Sequence, residues 1–263
     1  MPEQRSIAVV VAHPDDDAYG CAGSIALHAG DPGFRFVLVI ATDGAAGDIA
    51  DGFPATRATL GALRRVESRN AWAAHGVVPD RHEWLDYDDG GLAGVDPAEL
   101  AARVEEVLLR ERPSIVCTFG PDGITGHRDH IAIGRATDTA FHAARRRGGP
   151  GLVRLVHGAL RRSTFDRWNE HRRRTGAPPW DPDREYDLHP VPDGQIDIEV
   201  DTSSVAPRIV AGLLEHRSQQ HVLHPPGMDE VTWAHQVSRE HFVLAWPRQP
   251  RNGRLLTDLF EGL

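Results

Sequence analysis

The chain has 263 residues, 40% hydrophobic and 25% charged, with a formal net charge of -9 at pH 7. That balance fits a globular protein with one sizeable core and excludes a general binder of nucleic-acid backbone, which needs a basic footprint. All 29 basic residues are Arg, so Schiff-base chemistry on a side-chain amine is excluded, and two cysteines, Cys21 and Cys117, supply neither a disulfide framework nor a thiolate zinc site.

Ser6 to Ala12 is a continuous apolar, β-branched run of the kind found in a strand covered on both faces. It is too short for a signal-peptide core or a membrane span, and a cytoplasmic location is the expectation. Tyr19 to Ala29 reads as a small-residue helix and Phe34 to Ala41 as a second buried strand, ended by Thr42-Asp43-Gly44. Thr56 to His75 carries Leu60, Leu63, Val66, Ala71 and Ala74 at helical spacing and stops at Gly76.

A short strand, His82 to Leu85, is followed by a helix that starts at Asp96-Pro97 and ends before Pro113, then by a buried strand, Ser114 to Phe119. Ile131 to Arg147 is helical in pattern. Arg161 to Gly194 is rich in Arg, Asp, Pro and Trp without periodicity, which predicts a long loop that is either a lid or a solvated insertion. Gln195 to Val200 then reads as a strand, Val205 to Gln220 as a helix, and the His-rich remainder as a closing α/β element.

Strands alternating with helices predict an α/β fold with a doubly wound, mostly parallel sheet of Rossmann-like type. The expected organisation is one domain over 1–263, with a Rossmann-like core at 1–147, a long loop or lid region at 148–195 and a closing α/β element at 196–263.

In such a sheet, ligands sit beyond the carboxyl ends of the strands. His13-Pro14-Asp15-Asp16 occupies that place after the first strand, offering nitrogen and oxygen ligands for a metal such as Zn²⁺ with one carboxylate to spare. An Asp-rich turn can equally do no more than cap the next helix. A second cluster favours the metal: Gly120 to His130 follows the fourth strand and delivers His127, Asp129 and His130. If the first and fourth strands flank the switch point, His130 reaches a metal held by His13 and Asp16, and three protein ligands leave one position open, as in catalytic zinc sites.

Ala-His-Pro-Asp-Asp-Asp and His127-x-Asp129-His130 resemble the two signature motifs of the LmbE-like, or PIG-L, family of de-N-acetylases. Arg64-Arg65-Val66-Glu67 is similar to the family's Arg-x-x-Glu element, and His216-Arg217-Ser218-Gln219 to its late His-x-Ser-Gln element. The resemblance implies one Zn²⁺ per chain on His13, Asp16 and His130, with Asp15 as general base. It makes His127 the group that stabilises the oxyanion or protonates the leaving amine, with Asp129 fixing its tautomer. Asp89 resembles a pocket carboxylate that contacts sugar hydroxyls, and Arg65 is expected to join it.

The implied substrate is a small amino sugar or glycoconjugate carrying an N-acetyl group; the implied partners include no nucleic acid and no membrane, and a homo-oligomer is permitted. Asp17 stands where the family has Glu, and Thr125 where some relatives carry a Tyr. Three other readings stand beside this one: hydrolysis of a larger amide on the same machinery, a metal-binding scaffold without activity, and a nucleotide-binding module. The last lacks a Gly-rich phosphate cradle at its first strand-to-helix turn. His221, His224, His235 and His241 match no compact ligand set and are read as structural, and Trp168 and Trp180 as stacking or packing residues of the long loop.

Overall fold

The apolar runs of the sequence become the strands of one central sheet. The computed structural model describes residues 5–224, 227–248 and 254–263. In chain order the elements are β1 (Ser6–Val11), α1 (Asp16–Gly20), α2 (Ala22–His28), β2 (Arg35–Thr42), α3 (Arg57–Ala74), β3 (Arg81–Tyr87), α4 (Pro97–Glu111), β4 (Ile115–Phe119) and α5 (Arg128–Arg146). There follow β5 (Arg154–Gly158), β6 (Leu160–Arg161), α6 (Arg162–Arg174), β7 (Pro190–Val191), β8 (Ile198–Asp201), α7 (Ala206–Glu215), α8 (Gln220–Leu223), α9 (Glu230–Gln236) and β9 (Arg239–Trp246).

The seven-stranded sheet runs β3-β2-β1-β4-β5-β9-β8. Its first five strands are parallel, and β9 is antiparallel to both neighbours. This is the doubly wound, mostly parallel architecture predicted from the alternation of strands and helices. Every residue of β1 and β4 is buried, and each large aliphatic side chain so removed from water contributes about 1.5–3 kcal/mol. The α4–α5 pair forms one helical group, and α7, packed on α3 and α9, forms another.

Local chemistry sets the helix starts. Thr56 and Thr59 cap α3 reciprocally, and the Asp96 carboxylate accepts from the Ala98 N–H at the start of α4, with Pro97 at its first position. The helix expected over 19–29 is instead two short helices, because Cys21 leaves helical geometry at φ -163°, ψ 12°.

Two further expectations are corrected. The 161–194 segment is not loop throughout: it opens with α6, which buries Thr164, Phe165 and Asn169 and ends in Arg172, Arg173 and Arg174, charges that suit a helix C-terminus. β5, inside the 148–195 region expected to be a long loop or lid, is a buried strand of the central sheet beside β4. Its five residues follow a Gly-Gly-Pro-Gly turn and are too few to carry a clear period. Among the described residues, no helix is long and apolar enough to cross a membrane.

Candidate active site

The chain turns in opposite directions from β1, to β2 on one side and to β4 on the other, so the crevice at their carboxyl ends is a switch point. His13 to Asp17 leave β1 there in a strained turn. Asp15 sits at φ 110°, ψ -29°, a conformation that costs a non-glycine residue about 1–3 kcal/mol and persists only when neighbours enforce it.

Arg64, buried on α3, is the main enforcer. One of its terminal nitrogens donates to the Pro14 carbonyl at 2.7 Å and to the Asp15 carboxylate at 2.9 Å, while the other donates to the Gly44 carbonyl at 2.9 Å. Gly44, at φ +70°, lies so close to this guanidinium that a Cβ would collide with it. Asp17 supports the same turn from below, accepting from the Asp15 N–H at 3.3 Å and from the Trp72 indole at 2.5 Å.

Three potential ligands converge above this turn. His130 Nε2 lies 3.2 Å from His13 Nδ1 and 3.1 Å from Asp16 Oδ1, and His13 Nδ1 lies 3.3 Å from the other carboxylate oxygen, Asp16 Oδ2. Bonds of about 2.0–2.1 Å to a tetrahedral Zn²⁺ give ligand-to-ligand edges of about 3.3 Å; the imidazole edge of this triangle of residues has that length, and one ligand atom of each residue lies within 4.8 Å of the others. His130 Nδ1 donates to the Gly123 carbonyl at 2.9 Å, which leaves its Nε2 lone pair free and aimed at the other two.

The charges also call for a cation. Asp15, Asp16, Asp89 and Asp129 surround His13, while Arg64 is the buried base that answers them. Burial pulls His13 down, but the Asp129, Asp16 and Asp89 carboxylates override it and hold the imidazole well above its usual value. His13, His127 and Asp129 form a second candidate triad. Its groups are already engaged, since the Asp129 carboxylate accepts from the Gly90 and Leu92 N–H groups at 2.8 and 3.0 Å and His127 Nδ1 accepts from the Asp129 N–H at 3.1 Å. The residues therefore fit one divalent ion on His13, Asp16 and His130.

Asp15 lies outside the triangle. Burial pushes its carboxyl up to about 6 against the pull of Arg64. Asp17 is pushed by burial to about 7, opposed by the Trp72 hydrogen bond. His127 stands over the cluster, its ring stacked on His130 at 4.7 Å and edge-on to His13 at 4.7 Å. Burial, then the neighbouring His13 and His130, lower it to about 4, so it is neutral at pH 7; with Nδ1 accepting, its proton is on Nε2.

The geometry corrects one expected contact and shows what the two residues expected to meet the substrate touch within the protein. The Asp129 carboxylate does not pair with His127: as a first-turn residue of α5 it turns towards the 90–92 loop, with His13 Nε2 at 3.5 Å, and it is the Asp129 N–H that sets the His127 tautomer. Asp89 sits in the cluster, but its oxygens face His13 Nε2 at 3.0 Å and the Ala46 N–H at 2.7 Å. Burial raises Asp89, yet the His13 contact prevails and holds it at about 2. Arg65 lies apart, stacked over Trp84 and paired with Asp86 at 2.6 Å.

Arg64, expected only as the first residue of the Arg-x-x-Glu element, is the residue to which the sequence assigned no role at the site. The buried stripe of α3 is Leu60, Arg64, Glu67 and Ala71, a 4-3-4 spacing that was available, while Val66 faces solvent. Glu67 on that stripe accepts from the Ser218 N–H and hydroxyl at 2.8 and 2.7 Å, joining the His-x-Ser-Gln element to α3. Trp168 and Trp180 pack edge to face at 6.3 Å. His221, His224, His235 and His241 belong to neither ligand cluster found among the described residues.

Residues 8–141, just over half of the chain, match the family described as GlcNAc-PI de-N-acetylase, PIG-L. The chain belongs to the PIG-L family. Among the relatives it resembles, a protein of Kineococcus radiotolerans named 1D-myo-inositol 2-acetamido-2-deoxy-alpha-D-glucopyranoside deacetylase is 31% identical over 83% of this chain and 70% of its own. The conserved protein TT1542 from Thermus thermophilus superposes with a TM-score of 0.62 over 93% of this chain and 96% of its own, at 25% identity. GalB, the 4-carboxy-2-hydroxymuconate hydratase from Pseudomonas putida KT2440, superposes with a TM-score of 0.61 over 94% and 99% but at 18% identity, which shows a shared fold alone. A PIG-L fold thus does not by itself select the reaction, which has to be argued from the side chains.

Proposed function

We propose that this PIG-L family member is a zinc-dependent amide hydrolase that removes the acetyl group from an N-acetylglucosamine-type amino sugar or its conjugate. The observation that carries the reading is the convergence of His13, Asp16 and His130, with contacts of 3.1–3.3 Å among them, beside a carboxylate that is not part of the group. The naming of the Kineococcus relative as an acetamido-sugar deacetylase supports the acetyl and amino-sugar assignment.

Zinc held by these three side chains supplies Lewis acidity, both to acidify a water and to polarise an amide carbonyl. Asp15, aligned by Arg64, takes the proton of the attacking water on its carboxylate. His127 presents its Nε2–H as a hydrogen-bond donor to the developing oxyanion, and the proton taken up by Asp15 passes from its carboxyl to the departing amine. Asp89 and Asp129 orient His13 and the 90–92 loop, and Asp17 with Arg64 holds the strained turn that carries Asp15.

The test is acetate release from a panel of N-acetyl amino sugars, run beside amides with longer acyl groups. Chelation should abolish turnover and one equivalent of zinc per chain should restore it. Asp15→Asn should keep its zinc and lose about 10²- to 10⁴-fold in kcat. Full turnover by that variant, or by metal-free protein, rejects the assignment.

A further inference from the structure

The irregular stretch between α6 and β7 is fastened at both ends. At its start, the Asn169 side-chain amide makes two hydrogen bonds with the Trp180 main chain, at 2.9 and 2.8 Å, and Arg172 lies 4.2 Å over the Trp180 ring. At its end, the Tyr186 N–H donates to the Thr125 carbonyl at 2.8 Å and the His189 N–H to the Ile124 carbonyl at 2.6 Å. Glu185 pairs with Arg128 at 3.1 Å, and the His189 ring lies against Gly126, where a Cβ would meet it at 2.8 Å. The segment is a strap tied to the loop that carries His127.

The strap places one side chain at the site. Tyr186 is held at φ 70° by these main-chain bonds, and its ring meets His127 edge-on at 5.2 Å. His127 is therefore walled by His13 and His130 on one side and by Tyr186 on another. Tyr186 is nevertheless 64% exposed, so most of its ring packs against nothing in the protein. A large aromatic held in a disfavoured backbone conformation, at the rim of a reactive cluster and without a core to fill, is poorly accounted for by folding.

We propose that Tyr186 is a substrate-positioning residue whose exposed ring forms the wall of the sugar subsite, stacking on the C–H face of the pyranose that carries the acylated nitrogen. The assignment rests on the amino-sugar reading above. An aromatic ring offers such a C–H face a broad apolar contact at low conformational cost, and its edge contact with His127 sets the sugar beside the group that receives the oxyanion. The ring acts through binding, whereas His127 and Asp15 act on the reacting atoms.

Tyr186→Ala and Tyr186→Phe, both at an exposed position, are compared on an N-acetyl amino sugar and on an acyclic N-acetyl amide. For the sugar, the Ala variant should raise KM about tenfold with kcat within about threefold, a ratio that corresponds to the loss of one stacking contact; Phe should restore the wild-type KM. Calorimetric titration of the free amino-sugar product should show the same tenfold weakening in Ala and not in Phe, and the acyclic amide should not discriminate the three proteins. Wild-type turnover of the sugar with an unchanged KM in Tyr186→Ala overturns the subsite, as does a Phe variant as impaired as Ala. Absence of wild-type activity on every amino-sugar amide, with turnover of the acyclic one, overturns the amino-sugar reading and the subsite with it.

Discussion

Replacing Arg64 by Met removes the donors of three hydrogen bonds at once and leaves the Asp15 carboxylate and the Pro14 and Gly44 carbonyls facing an apolar side chain. Both partners of the ion pair are shielded, with side-chain exposures of 5% and 13%, so solvent screening does little to soften the loss. Breaking one side of a buried pair costs about 3–5 kcal/mol. At roughly 2 °C per kcal/mol for a chain of this size, the melting temperature should fall by about 6–10 °C.

The cost belongs to the orphaned carboxylate as much as to the lost contact. Arg64→Met combined with Asp15→Asn should therefore be less destabilised than the two single variants sum to, with a coupling of about 2 kcal/mol in a urea-denaturation cycle. Arg64→Lys keeps the charge but cannot reach Pro14, Asp15 and Gly44 together, and should fall between wild type and Met. A Met variant within 1 °C of wild type, or a strictly additive cycle, refutes the claim that Arg64 holds this turn.

Other outcomes follow from named contacts. Asp89→Ala removes the carboxylate 3.0 Å from His13 Nε2 and should weaken zinc binding about 10- to 100-fold, read by competition with a chromogenic chelator; unchanged affinity shows that His13 needs no such partner. His28 is clasped by Asp31 and Asp258, each at 2.7 Å. Its hydrogen bond to Asp258 is the chief cause of its raised pKa, and the two carboxyls are held low. The His28 contribution is therefore complete below about pH 6.5 and lost as pH rises through the folded value, whereas the carboxylate contributions are lost as pH falls below about 4. Wild type should lose more stability than His28→Ala between pH 6 and pH 9, and parallel urea midpoints for the two proteins would count against the clasp. The buried Glu240 carboxylate accepts from the Gly23 and Ser24 N–H groups and the Ser24 hydroxyl at 2.6–2.8 Å. Glu240→Ala should cost about 3 kcal/mol or more by stranding these donors, and a shift in urea stability under 1 kcal/mol would contradict it.

The parallel sheet and the position of the ligand cluster were legible because both depend on periodic signals: unbroken apolar runs, and polar residues placed where those runs end. The contacts inside the cluster were not legible in the same way. Arg64 and Arg65 are indistinguishable by type; the Arg-x-x-Glu spacing singles out Arg64 without giving it a task, and the stripe Leu60, Arg64, Glu67, Ala71 shows that it faces inward. Asp129 is two residues from His127, which made the pair look natural, but the first turn of α5 directs the carboxylate to the main chain of Gly90 and Leu92. Tyr186 lies 59 positions from His127 in a stretch without periodicity, so nothing local marks their meeting.

The order of the sheet bears on how the protein is made. β9, near the C-terminal end of the described chain, does not lie at an edge but between β5 and β8, with its neighbours on both sides already synthesised. Until residues 239–246 leave the ribosome, β5 presents a row of unpaired main-chain groups beside the buried Leu155 and Val156. Exposed edges of that kind recruit other strands. For a nascent chain, then, the hazardous interval opens when β5 docks on β4 and closes when the last strand slots in, roughly 80 residues and about 4–16 seconds of translation later.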